Sequence, residues 1–209
     1  MKTANLHILL FVAFSAFLAA TVHAANGTPA SLQPIFHFAA ADDMPVIEYT
    51  LDHHMLAQRD PTPLLRVYGS GRVQVHFPVY MKKAGDYEMQ LSRTELNALL
   101  RMLADKGVMD FDAAAIGQER KQLEMTRKAA TGELFNVSDA TDTVINIKLN
   151  QYQRTASSPR INGFSSQFRW RNLTSDARRF SDSTGITQAA NAAATLQALC
   201  EHPGLQKLP

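Results

Sequence analysis

Cysteine is nearly absent from this chain: Cys200 stands alone among 209 residues. A single thiol can neither close an internal disulfide nor supply a Cys-rich zinc site. An excess of one charge is lacking too. Lys and Arg number 21 against 19 Asp and Glu, a formal net charge of +2, which leaves no electrostatic footprint for a dedicated nucleic-acid binder. Gly 10 and Pro 9 are too few for a collagen-like or low-complexity chain. Beyond the N-terminal segment, charged side chains interrupt every apolar run, so no later stretch reads as a membrane span. There is no Gly-rich phosphate loop. Gly69-Ser70-Gly71 lacks the Gly-x-Ser-x-Gly spacing of a nucleophile elbow and suits a turn. These absences exclude several classes and select no activity. Whether the chain is an enzyme is left uncertain, leaning towards no.

What is present begins with an export signal. Lys2 supplies the positive start, Ile8 to Ala20 is apolar, and Val22-His23-Ala24 places small residues where a signal peptidase reads them. The apolar run is short for a bilayer span, and no Cys follows it as a lipidation site. Residues 1–24 are therefore expected to be a signal peptide, giving a periplasmic or secreted protein with no stable membrane anchor after cleavage. Residues 25–44 carry Ala, Pro and Gly without a period and read as a linker or loosely packed arm, which Phe36 and Phe38 could dock. Residues 45–209 are expected to form a single α+β domain, an antiparallel sheet packed against two or three helices.

The periodicities behind that fold are specific. Val46 to Leu51 reads as a strand. Leu64 to Tyr68 and Arg72 to Phe77 flank Gly69-Ser70-Gly71 as a hairpin. A three-residue loop sets Val67 opposite Val73 and Leu65 opposite Val75 on one face, whereas a two-residue loop mixes the faces. Asp86 to Leu91 alternates. Ser92-Arg93-Thr94-Glu95 then has capping-box spacing, with Leu96, Leu99, Leu100 and Leu103 at helical intervals and Gly107 at the stop. A charged helix is expected over Asp112–Ala129, with Glu124 set to pair with Lys128. Leu134 to Asp139 is a possible strand and Thr143 to Tyr152 a clear one. Gln151 to Gly163 reads as a polar loop, Ser165 to Leu173 as a strand, and Ile186 to Cys200 as a final helix closed by Pro203.

The run Leu64 to Val73, then Pro78, Tyr80-Met81-Lys82 and Ala84 to Glu88, then Leu91-Ser92 and Glu95-Leu96 with Leu99-Leu100, resembles a group of exported proteobacterial proteins with no established activity. Trp170 to Leu173 and Asp176-Ala177-Arg178 share the likeness. The resemblance covers most of residues 45–200. It implies export and an envelope location and no chemistry, so no site residue is carried over from it.

Two clusters could carry chemistry. His53 and His54, within Asp52-His53-His54-Met55, are ligand types used by exported copper proteins, with Met44 and His76 as possible additions. Adjacent residues of a strand point to opposite faces, however, and a polar loop explains them as well. Arg169 and Arg171 share one strand face with Phe168 and Trp170 on the other, so their guanidiniums could fork around a carboxylate or phosphate. The ordinary alternative is a solvated edge strand whose charges block aggregation. On that alternative and on the binding reading alike, replacing both Arg with Gln is expected to leave the melting temperature nearly unchanged. The sequence thus points to a binding or interaction module of the envelope, with an envelope protein or anionic ligand as partner and no cofactor or nucleic acid. Its rivals are a periplasmic metal-binding protein and a hydrolase whose site the sequence does not display.

Overall fold

The computed structural model describes residues 33–53, 60–133 and 140–209. In chain order these form β1 (Ile35–His37), β2 (Pro45–His53), β3 (Leu65–Tyr68), β4 (Arg72–Phe77), β5 (Gly85–Gln90), α1 (Arg93–Asp105), α2 (Ala113–Thr131), β6 (Thr141–Gln153), β7 (Ile161–Arg171), α3 (Leu173–Arg179), α4 (Thr184–Cys200) and β8 (Gln206–Lys207). The expected signal peptide, His54 and the possible strand at 134–139 lie outside the described residues.

The fold is α+β, an eight-stranded antiparallel sheet with helices packed on it. Strand β6 organises it. One edge of β6 pairs with β7 from Asp142 to Tyr152, and the other pairs with β2 from Thr141 to Ile147. The short β1 continues the β2 lane further along β6, with Phe36 opposite Tyr152. From β2 the sheet runs on through β3, β4 and β5 to β8. Inward residues of the central strands, among them Ile47, Leu65, Val67, Val73, Ile145, Ile147 and Phe168, are fully buried.

Local chemistry accounts for the elements nearest the site. The β3–β4 hairpin has the register that its alternation demands, Val67 opposite Val73 and Leu65 opposite Val75. Gly71 sits at φ +94°, and its N–H donates to Tyr68 O at 2.9 Å. A Cβ there would lie 2.2 Å from the Leu91 carbonyl oxygen, so the position needs glycine for space as well as for its backbone angle. Helix α1 starts on the Ser92–Glu95 capping box and buries Leu96, Leu99, Leu100 and Leu103. Helix α4 buries Ile186, Ala189, Ala192, Ala193, Leu196 and Cys200, and its Gln197 accepts from the Tyr49 hydroxyl of β2 at 3.3 Å.

Several expectations change. The segment 151–163 is strand at both ends, since β6 reaches Gln153 and β7 begins at Ile161, and a loop only over residues 154–160. Its polar residues mark an exposed face, where Gln151 donates to Asn162 at 3.1 Å, rather than the lack of a strand. The arm docks where its aromatics suggested: Phe36 stacks on Tyr152 with centroids 5.9 Å apart, and Phe38 is buried beneath Arg93. The partner of Glu124 is Arg120, at 3.0 Å. Arg120 is drawn to that side because it also binds Asp176, which is 1% exposed, at 2.6 Å. Asp176 accepts from Trp170 Nε1 as well, at 2.9 Å, so α2, α3 and β7 are joined at one buried carboxylate. The short helix α3 that presents Asp176 has no counterpart in the sequence periodicity.

Candidate ligand groove

Strand alternation turns one set of side chains away from the helices. In one row across this outer face, Glu48 lies beside Asn146 and then Gln167. In the next, Thr50 lies beside Val144 and Arg169, and in the third Asp52 lies beside Asp142 and Arg171. The first row stays polar in the other direction, through Arg66, Gln74 and Glu88 to Gln206.

Over these rows lies an open groove of ≈ 410 Å³. Its floor carries Thr50 and Asp52 of β2, Val144 and Asn146 of β6, and Gln167 and Arg169 of β7. Its wall is made by His53 at the end of β2, by Asp60, Pro61 and Pro63 before β3, and by Tyr80 from the β4–β5 turn. A smaller hollow of ≈ 70 Å³ adjoins it through Leu51, His53, Asp60 and Tyr80 and reaches His76 and Gln197. His53 and Arg169, read from the sequence as parts of two unrelated candidate sites, thus line one groove.

The charges around the groove hold one another. Arg169 Nη1 donates to Asp142 Oδ2 at 3.2 Å, so the carboxylate expected from a ligand is supplied by the chain itself. Arg171 is exposed, with its backbone opposite that of Asp142. The two arginines do share the outer face as alternation predicts. His76 has Nε2 at 2.8 Å from Asp60 Oδ2 and Nδ1 at 2.7 Å from Asp86 Oδ1. Burial disfavours its charged form, but hydrogen bonds and charge from Asp86 and Asp60 outweigh burial and raise its pKa. Hydrogen bonds from Thr62, then from His76, hold Asp60 down at about 2. With both ring nitrogens engaged, His76 is a clamp between the Pro61 loop and the β4–β5 hairpin.

The amides are less committed. Gln167 Nε2 donates to Asn146 Oδ1 at 2.9 Å, an arrangement that uses one half of each amide. His53 Nδ1 lies 2.9 Å from Thr141 Oγ1. Among the described residues no group of three or more His, Cys, Asp or Glu is arranged to hold a metal ion. Cys200 is buried against the core, its thiol pushed up to about 12 first by burial and then by Glu201, and it donates to Leu196 O. That environment keeps it a protonated packing residue.

Sequence reasoning missed Asp60, Tyr80, Asn146 and Gln167. The alternation of β6 and β7 marks Asn146 and Gln167 as outward, but only their cross-strand register makes them neighbours. Asp60 and Tyr80 come from turns whose placement no periodicity encodes. Set against protein-family models, curated proteins and solved structures, the chain matches none of them.

Proposed function

We propose that this protein is exported to the bacterial envelope and works there by binding, taking a polar ligand of little net charge, a saccharide unit, in the groove over β2, β6 and β7. One observation carries the reading: Arg169 is matched by Asp142 and Asp60 by His76, while amides, a hydroxyl, the Asp52 carboxylate and an aromatic rim line the groove around them. Asn146 and Gln167 each offer donor and acceptor chemistry suited to neighbouring hydroxyls, and Tyr80 adds a ring face. A free anion would have to compete with Asp142 for Arg169, which makes an anionic ligand the weaker candidate. A hydrolytic reading cannot use His76, which is occupied at both nitrogens, and would fall to Asp52 or His53 of the groove. The export half of the proposal rests on Lys2, the apolar run Ile8 to Ala20 and the small residues at Val22 and Ala24.

Calorimetric titration with neutral oligosaccharides, set beside acidic peptides, tests the groove. Binding of a neutral saccharide is expected, weakened at least about tenfold by Asn146→Ala or Gln167→Ala, the loss of one well-placed polar contact. No saccharide binding, or binding indifferent to both substitutions, would refute it. Protein recovered from the envelope should begin at Ala25 on N-terminal sequencing; a chain retaining Met1 in the cytoplasm would refute export. The metal-carrying rival keeps one foothold, His53 in the groove wall. A stoichiometric transition metal lost on replacing His53 and His54 together would move the assignment to it.

A further inference from the structure

The turn between β4 and β5 has an unusual surface. Val79 is 80% exposed, Tyr80 49% and Met81 41%, three consecutive large apolar residues facing water. Turns of this kind are ordinarily built from Gly, Asn, Asp, Ser and Pro. The segment is nonetheless well formed: Met81 N–H donates to Pro78 O at 2.9 Å and Ala84 N–H to Met81 O at 3.0 Å. The apolar side chains are therefore displayed by a hydrogen-bonded scaffold.

Cations surround them. Lys82 and Lys83 follow directly and are exposed. Lys207 of β8 comes from the far end of the chain and lays its stem over Gly85, where a Cβ would stand 3.0 Å from Lys207 Cε. Leu208, 37% exposed, is tied to the same hairpin by its N–H bond to Asp86 O at 2.8 Å. Asp86 of the same hairpin and Asp60 are turned to His76.

We propose that this turn is a docking tip for an anionic lipid surface, with Val79 and Met81 entering the interface, Tyr80 staying at the groove rim beside them, and Lys82, Lys83 and Lys207 meeting the headgroup phosphates. A few apolar side chains on a hairpin end are far from the roughly 800 Å² per partner that a stable protein interface buries. They suit shallow insertion among headgroups, where each adjacent lysine adds attraction to anionic lipid. Such attachment is peripheral and reversible, unlike a membrane-spanning anchor, and it does not depend on what the groove binds.

Cosedimentation with vesicles of about one third phosphatidylglycerol in phosphatidylcholine tests it. The protein should pellet with these vesicles and not with phosphatidylcholine alone. The double substitution K82E/K83E should lower partitioning at least about twentyfold, since each lysine near such a surface is worth about fivefold. The pair V79S/M81S should lower it severalfold with the lysines intact. All these positions are exposed, so the fold is retained. Because the single tryptophan, Trp170, is buried, Val79→Trp adds a reporter at the tip, and its emission should shift to the blue on anionic vesicles. Absence of pelleting, equal binding by K82E/K83E, or an unshifted Val79→Trp signal would overturn the proposal. Binding to polyglutamate as tight as to the vesicles and indifferent to V79S/M81S would overturn it in favour of an acidic protein partner.

Discussion

His76 keeps two carboxylates in place at once, and its charge is part of the arrangement. Its folded pKa is raised by Asp86 and Asp60, so its contribution to stability is full below the ordinary histidine range and is lost as pH climbs through the raised value. Asp60 behaves in the opposite sense. Held at about 2 by Thr62 and His76, it contributes fully above the ordinary carboxylate range and loses that contribution as pH falls towards 2. The clamp is therefore strongest in mildly acidic solution. Urea midpoints should decline as pH rises from mildly acidic through and above the ordinary histidine range, while His76→Asn should be less stable by about 1 kcal/mol at the acidic end and show a flatter profile. A variant with the parent's slope would show that the clamp does not titrate as described. Arg169 and Arg171 also part company at this scale. Arg169 covers Asp142, whose side chain is only 10% exposed, while remaining 56% exposed itself. Arg169→Gln should cost about 1 kcal/mol after allowance for solvent screening, and Arg171→Gln less than about half of that. Equal denaturation midpoints for the two variants would contradict this. On this geometry the loss falls on Arg169, against the nearly unchanged melting temperature expected from the sequence.

At the scale of elements, the helices are held in different ways. Helix α1 is anchored from beneath by a leucine stripe, and Leu99 is 8% exposed within it. Leu99→Ala should lower unfolding free energy by about 2–5 kcal/mol; a loss under about half a kcal/mol in chemical denaturation would show that the helix is not packed this way. Helix α2 has no fully buried residue among its 19; it is attached by the ion pair of Arg120 with the buried Asp176 and by the half-buried Ile116 and Leu123 against the core. Its sequence is accordingly hard to read: the periodicity that identifies a helix by its apolar face is weak where the helix is tied down by a charge. Strands β6 and β7 show the same limit differently. Their inward residues alternate clearly from Thr143 and Ser165, while their far ends are polar at outward positions and merge with the loop in sequence.

For the whole molecule, distant segments complete the sheet. β6 returns across both helices α1 and α2 to pair with β2, and β1 and β8 bring segments from the two ends of the described chain onto opposite parts of the sheet. Such pairings gain nothing until long loops have closed, so they belong late in folding. A chain beginning at Pro45 loses β1, the Phe36 stack on Tyr152 and the buried Phe38. Compared with a chain beginning at Gln33, it should be less stable by at least about 2 kcal/mol, read as a shift of the denaturant midpoint. Superimposable unfolding curves would return residues 33–44 to the status of a passive arm.

The amino-acid sequence by itself determined the local units. The capping box at Ser92, the leucine spacing of α1, the Gly69-Ser70-Gly71 hairpin register and the inward face of β6 each follow from interactions within a few residues, or from a period that one buried face imposes. It also placed Arg169 and Arg171 on one outward face, because alternation along a strand is a local property. What joins those units was decided only by tertiary structure. That His53 and Arg169 border one groove depends on β2 and β7 flanking β6, and no local rule names a strand's neighbours. That Arg169 is already occupied depends on Asp142 lying in the adjacent strand at the right register. The clamp of His76 between Asp60 and Asp86 joins a loop to a hairpin through packing, and residues scattered in sequence meet because burying one apolar face fixes which strands lie side by side.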